Sequence, residues 1–282
     1  MIDLHVHSTA SDGTFAPEEL AEKGRDFSVL ALTDHDTLEG VDGFLSASAR
    51  LASKAVRLAG VEVSVESGEG YGRFHMLGLG VEPDAPELAG LLERIRVGRD
   101  ERNERIFENL AALGMPVGRD EVAVYAKGEV VARPHFARVL VDKGFATDVK
   151  DAFERYLGAG RPAYAERYRP DPQMAIDAIH AAHGVAVMAH PKFWTVDADR
   201  LSEGLAYWRG RGLDGVEAVY KANTFEETIL HLRIAQEIGL AATAGSDFHG
   251  GNKPTISLGM DVGDEDAFLA PFFAALECRR IS

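Results

Sequence analysis

Hydrophobic and polar positions divide the chain into three stretches. Over residues 1–82, strand patterns alternate with helical ones. Ile2, Leu4 and Val6 alternate with Asp3, His5 and His7, a period of two that sets both histidines on one face of a strand. Pro17 followed by Glu18 and Glu19 opens a helix predicted over 17–27. A short strand at 29–32 leads into a helix at 37–54. Two longer strands, 56–65 and 71–81, are joined by a Gly-rich link at 67–72 that reads as a hairpin. From 83 to 160 the strand pattern vanishes, and 85–113, 118–126, 134–143 and 148–158 all read as helices. Alternation returns with strands at 185–188, 215–220 and 241–244 and helices near 171–183, 198–211, 223–238 and 265–277. About seven strands interleaved with helices predict an α/β chain with a mainly parallel barrel or near-barrel. The barrel parts are 1–82 and 161–282, and 83–160 is a helical insertion capping one end.

The polar exceptions fall where strands stop. They are His5 and His7, Asp12 in a Ser-Asp-Gly turn, His35, Glu62, His75, His190, and then Asp247 and His249. Strand C-termini of a βα barrel share one face, so these side chains are expected to meet in one pocket. His5 and His7 alone would favour a reading as solvent-facing residues of an edge strand. The other strand ends, closing on the same residue types, shift the balance toward a site. Four donors satisfy a tetrahedral ion, so nine, with one carboxylate bridging, fit two or three. Imidazole and carboxylate donors without sulfur suit Mn, Zn or Fe(II).

Composition narrows the field. With 282 residues, 46% of them hydrophobic, the chain can bury one large core with an insert. A formal net charge of -15 disfavours general binding of long nucleic acid, and a phosphate substrate would need local cations. Cys278 is the only cysteine, so no intrachain disulfide forms. There is no apolar run of membrane-spanning length and no signal-like start. A reducing, cytoplasmic setting without membrane contact is the expectation.

Taken together, Asp3-Leu-His5-Val-His7-Ser, Ser11-Asp12-Gly13, Leu32-Thr-Asp34-His35-Asp36, Gly60-Val-Glu62, His75-Met-Leu-Gly78, Ala189-His190-Pro191 and Gly245-Ser-Asp247-Phe-His249 resemble the PHP (polymerase and histidinol phosphatase) superfamily of metal-dependent phosphoesterases. The segments span nearly the whole chain in the family's order. The resemblance implies a distorted (β/α)7 barrel, with the helical insertion on the active-site face, and a trinuclear centre. His5, His7, Glu62 and Asp247 would hold one ion, Asp12, His35 and His249 a second, and Glu62, His75 and His190 a third. Some relatives carry histidine where Asp12 stands. A carboxylate there favours Mn2+ and could loosen the second site. Arg133-Pro-His135-Phe-Ala-Arg138 and Lys143-Gly144 resemble the branch of nucleoside 3′,5′-bisphosphate phosphatases and 5′→3′ exonucleases on short RNA. The expected reaction is hydrolysis of a nucleotide 3′-phosphate, pAp to AMP and phosphate, by a hydroxide shared between metal ions. Exonuclease action on short oligonucleotides is the first alternative. A non-catalytic, metal-stabilised module is the second.

Substrate residues are sought in the insertion. Leu88, Leu91, Ile95, Ile106, Leu110 and Leu113 form a helical stripe that Arg99 and Arg102 interrupt. Inward arginines need an anion, either a substrate phosphate or a core carboxylate, unless they reach back to water. Arg133 and His135 stand at a helix start, which suits an anion. The resemblance places both in the substrate pocket, with His135 a candidate leaving-group acid beside Asp247 and His249 as catalytic residues. Lys192 is either a phosphate contact or a surface lysine. Phe193, Trp194 and Tyr220 either stack on a base or pack in the core. Asp36 reads as a cap for a helix starting near Thr37, and Asp34 as a cap or a partner of His35. His180, His183 and His231 read as ordinary helix residues.

Overall fold

A computed structural model describes residues 1–51, 55–68, 70–126, 131–194 and 197–281. They form two compact units, one of 1–92 with 170–282 and one of 93–169. The strands are β1 (Ile2–Asp3), β2 (Val29–Leu32), β3 (Val56–Ser67), β4 (Gly72–Leu79), β5 (Val185–Met188), β6 (Gly215–Tyr220) and β7 (Ala241–Gly245). The helices are α1 (Pro17–Lys23), α2 (Val41–Arg50), α3 (Pro86–Ala112), α4 (Arg119–Ala126), α5 (Arg133–Asp142), α6 (Val149–Ala152), α7 (Pro172–Ala181), α8 (Ala198–Arg209), α9 (Phe225–Ile238) and α10 (Glu265–Ile281).

In the first unit the strands pair in chain order. All pairings are parallel except those of β4, which runs against both β3 and β5. The hairpin expected at 67–72 is the reason: a short turn joins only antiparallel neighbours. The sheet curls until its first and last strands meet. Leu4 N–H donates to Ala244 O, and His7 N–H to Phe248 O, both at 3.0 Å. The result is a nearly closed seven-stranded α/β barrel. One apolar cluster draws on β1–β5 and β7 together with Leu269, Phe272 and Leu276 of α10. A cluster that reaches that many strands occupies the barrel interior. α10 enters it beside the start of β7, leaving the opposite, C-terminal ends of the strands for polar residues.

Local chemistry sets the helix ends. Thr224 and Glu227 exchange a capping box at the start of α9, and Gly239, at φ 76°, ends it in a left-handed turn. Asp171 and Asp197 cap α7 and α8 through Gln173 N–H and Arg200 N–H. Two helices fall short of expectation. α1 ends at Lys23, before Gly24, and α2 begins only at Val41. The second difference corrects the reading of Asp36. Its carboxylate accepts from Ser64 N–H at 2.9 Å, so it ties the end of β2 to β3 instead of capping a helix at Thr37. Residues 52–54 of the expected helix lie outside the described set. β1 is shorter than the alternation implies, with only an isolated bridge at Val6 beyond it. Asp3 turns the chain there, accepting from His5 N–H, Ser246 N–H and Oγ, and Gly259 N–H.

The second unit is helical. Ile106, Leu110, Val122, Phe136, Leu140 and Leu157 form its core with Ala163. α6 runs on into a π-helical turn at Phe153–Leu157. The unit extends past 160 because 161–169 packs into this core through Ala163, a contact with no periodic signal in the sequence. Gly98 is required in α3: a Cβ there would lie 2.5 Å from the Tyr168 Cβ.

Candidate metal centre

The barrel brings all nine expected donors together. Donor atoms of His5, His7, Glu62 and Asp247 all lie within 4.8 Å of one another, as do those of His7, Asp12, His35 and His249, and those of His35, Glu62 and His75. Glu62 is the hub. Its Oε2 lies 3.2 Å from His5 Nε2, 3.1 Å from His7 Nε2 and 3.0 Å from His35 Nδ1. Its Oε1 accepts from His75 Nδ1 and His190 Nε2, each at 2.8 Å. Asp247 Oδ1 sits 3.3 Å from both His7 Nε2 and His249 Nδ1. Asp12 Oδ1 lies 3.1 Å from His249 Nε2, and this carboxylate alone of the nine is exposed.

Backbone geometry explains the convergence. His35, His190, Asp247 and His249 follow β2, β5 and β7 directly. His75 sits early in β4, opposite Ser64, because that strand runs the other way. His190 and Asp247 hold positive φ, 26° and 56°, rare for non-glycine residues and characteristic of a sharp exit from a strand. Gly245 makes room: a Cβ there would lie 2.1 Å from Glu217 Oε1 and 2.4 Å from His5 Cβ.

Burial and charge oppose each other here. Desolvation disfavours protonated His5 and His7, yet the surrounding carboxylates outweigh it. His5 is held well above the imidazole range by Glu217, Glu62 and Asp247, and His7 rises to about 9 beside Asp247 and Glu62. Burial likewise opposes charge on Glu62, but His35, His5 and His75 hold it well below the carboxyl range. Burial pushes His75 and His249 down. His5 Nε2, His7 Nε2, His35 Nδ1 and Glu62 Oε2 are buried without a hydrogen-bond partner among the described residues. Unpartnered donor atoms aimed at a shared point, all nitrogen or carboxylate oxygen, are the donor set of a divalent cation site. The residues therefore fit the metal ions that the sequence implies. Complete burial of His5 and His7 rules out the edge-strand reading.

The structure adds residues that motif reading passed over. Glu217 is fully buried on β6, 3.0 Å from His5 Nδ1, and its other oxygen accepts from His190 N–H at 2.7 Å. It fixes the ring that points Nε2 at Glu62, the role of a carboxylate behind a metal-binding histidine. A carboxylate inside the apolar run of β6 was the available signal, since a buried charge needs a partner. Asp34 accepts from Ser8 N–H, Ser8 Oγ and Ser11 Oγ, so it shapes the loop leading to Asp12. Asp247 Oδ2 accepts from Tyr220 Oη at 2.9 Å and Lys253 Nζ at 2.5 Å. Burial and Asp247 push the Tyr220 phenol above its usual range, so it remains a donor. Tyr220 is thus a hydrogen-bonded residue of the site, while Trp194 packs with Phe74 and Tyr71. Lys192 is not drawn into the cluster: its ammonium donates to Ala222 O and Glu227. His231 is a helix residue as read, on α9, and is buried at 3% exposure.

The second unit holds a charged site of its own. Arg99, Arg102, Arg133, Arg167 and Arg169 line a cavity of about 180 Å³ with Tyr164 and Glu166. Arg102 is buried, its Nε lacks a hydrogen-bond partner among the described residues, and desolvation with four neighbouring arginines pushes it down to about 9. Arg133 donates to Leu157 O and lies over the Tyr164 ring. His135 stands at the first turn of α5, its Nδ1 accepting from Ala132 N–H at 3.1 Å. Burial and Arg138 lower its pKa.

A family model, the PHP domain, matches residues 3–159. A 5′-3′ exoribonuclease of Haemophilus influenzae is 36% identical over 252 residues, 88% of this chain and 89% of that protein. A 3′,5′-nucleoside bisphosphate phosphatase of Chromobacterium violaceum is 34% identical over 286 residues, 99% of this chain and 97% of that one. Among solved structures, a chain from Bifidobacterium adolescentis described as a metal-dependent phosphoesterase superposes with TM-score 0.78 at 30% identity, over 99% of this chain and 96% of its own.

Proposed function

The chain belongs to the PHP family of metal-dependent phosphoesterases, and from that premise we propose that its substrate is a small nucleotide carrying two phosphates, from which it removes the 3′-phosphate as a phosphomonoester. The observation that carries this reading is the centre of imidazoles and carboxylates on the barrel, which suits a reacting phosphoryl group with its cations. Within its own unit, the pocket lined by five arginines suits an anionic group that does not react. Similarity to the bisphosphate phosphatase over 99% of the chain supports it. Hydrolysis of short RNA from the 5′ end is the second reading, favoured by the identity to the exoribonuclease. The family's enzymes set aside the non-catalytic module.

Each group of residues has a task in this reaction. His5, His7, Glu62 and Asp247 would hold one divalent ion, Asp12, His35 and His249 another, and Glu62, His75 and His190 a third. Mn2+ is our choice, for the carboxylate at Asp12. Such ions supply Lewis acidity toward the phosphoryl oxygens and lower the pKa of water at the site. Glu217 keeps His5 in one orientation, and Tyr220 keeps Asp247 in another. Arg99, Arg102 and Arg133 take the non-reacting phosphate. His135 stays a candidate proton donor to the leaving group. Its lowered pKa asks that bound phosphate raise it again. Lys192 reaches substrate only by leaving Glu227. No helix among the described residues is long and apolar enough to cross a membrane. We place the enzyme in the cytoplasm.

The test is incubation of the Mn2+-loaded protein with 3′-phosphoadenosine 5′-phosphate and, separately, with a short RNA. Phosphate and AMP from the first support the proposal. Stepwise mononucleotides from the RNA, with no phosphate from the bisphosphate, would replace it with the second reading.

A further inference from the structure

The family motif ends at His249, but the chain beyond it returns to the site. Gly250–Asn252 forms a 3-10 turn that ends in Lys253. This turn is tied to the loop carrying Asp12: Asn252 Nδ2 donates to Asp12 O at 2.8 Å, and Gly251 N–H to Thr14 Oγ1 at 2.9 Å. The backbone of Lys253 is fixed as well, its N–H donating to Gly250 O and its carbonyl accepting from Ile256 N–H. So anchored, the side chain places Nζ 2.5 Å from Asp247 Oδ2.

Asp247 is thereby divided between two jobs. Its Oδ1 faces His5, His7 and His249. Its Oδ2 is taken by Tyr220 and Lys253. Tyr220 is buried at 5% exposure, whereas the Lys253 side chain is 39% exposed. One positioned hydroxyl already occupies Oδ2. A second donor that reaches solvent at a centre lined by Glu62, Asp247, Asp12 and Glu217 has a further use. An ammonium carries three N–H donors, and the contact with Asp247 employs one.

Resting on the phosphoesterase reading, the geometry points to Lys253 as a catalytic residue: its ammonium meets the oxygens of the scissile phosphoryl group while anchored on Asp247. The role is electrostatic. Charge builds on the phosphoryl oxygens as the leaving group departs, and a cation preplaced beside them needs no reorganisation. No proton or electron moves to or from Lys253 in this step. Because the contact is to the reacting phosphoryl group, it serves every phosphomonoester alike, whatever the leaving group.

Lys253→Met and Lys253→Arg test this in the Mn2+-loaded full chain, with three measurements on each. The first is bound Mn2+. The second is kcat/KM for 3′-phosphoadenosine 5′-phosphate and for p-nitrophenyl phosphate. The third is broadening of the orthophosphate 31P resonance by protein-bound Mn2+, which reads only phosphate beside the metal. Loss of one charge-assisted contact predicts that Lys253→Met weakens orthophosphate at the metal and lowers kcat/KM for both substrates, each by about 10- to 100-fold. Its Mn2+ content stays at the wild-type level, and Lys253→Arg restores most of both. Unchanged broadening in Lys253→Met would overturn the assignment. So would loss of its Mn2+, which would make Lys253 only a support for Asp247. If the wild type hydrolyses neither substrate but its phosphate broadening depends on Lys253, the functional reading fails while the contact stands. If the wild type hydrolyses both and Lys253→Met matches it, the contact fails alone.

Discussion

The two units each concentrate charge away from water, but they do so in opposite ways. On the barrel, six histidines and three carboxylates come from strands and the loops that follow them, separated by most of the chain, and each carboxylate lies against imidazoles. In the 93–169 unit, five arginines gather around one cavity, and the buried one is surrounded by its own kind. Mutual attraction makes the first cluster internally compensated, apart from donor atoms aimed at a common point. In the second, repulsion falls on the buried Arg102, although Arg169 is paired with Glu166. The lesson is that a charged cluster's sign pattern names the ligand to test it with: a cation for the mixed one, phosphate for the cationic one.

The largest effect that sharpens this contrast lies in the barrel. Asp247→Asn and His7→Ala should each lower kcat on the order of 10³-fold or more, with circular dichroism unchanged. Near-normal turnover in either would remove that residue from the metal group. Glu217→Gln comes next. Losing the carboxylate behind His5 should weaken Mn2+ binding by roughly 10- to 100-fold, read by titration of stripped protein. Unchanged affinity would mean that Glu217 serves packing alone.

The arginine pocket should respond in the other sense. Arg99→Ala should raise KM for the bisphosphate by about tenfold, the value of one charged hydrogen bond, and leave KM for p-nitrophenyl phosphate nearly unchanged. Equal effects on both would contradict a pocket for the non-reacting phosphate. The smallest effect is on stability. Arg102→Met removes a buried cation from among like charges and should stabilise the chain by about 1–2 kcal/mol, a Tm rise of a few degrees. Millimolar orthophosphate should raise the Tm of metal-stripped wild type more than that of the variant. A lower Tm in the variant would show that Arg102 has structural partners that outweigh the repulsion.

The two sites were unequally legible in the sequence, and for a physical reason. Most of the proposed metal donors stand at or just past strand ends, so His5, His35, His190 and Asp247 occur next to recognisable apolar runs. Parallel topology then brings them together without further information. The arginine pocket has no such rule. Arg99 and Arg102 showed through as breaks in a helical stripe, but Arg167 and Arg169 lie in an aperiodic segment whose path depends on tertiary packing. Glu217 and Lys253 reach His5 and Asp247 across the fold, and strand periodicity does not encode such contacts. Asp36 was misread because a short polar residue before a helix and one that bridges two strands look alike in one dimension.

The central claim is that the barrel's gathered imidazoles and carboxylates hold divalent ions that run phosphoester hydrolysis. Its most direct measurement is to strip the protein with a chelator, return Mn2+ stepwise, and follow phosphate release from 3′-phosphoadenosine 5′-phosphate. The stripped chain should be folded and silent, with release returning as metal is added and reaching its full rate only beyond one equivalent per chain. Full-rate release from the stripped chain would contradict the account.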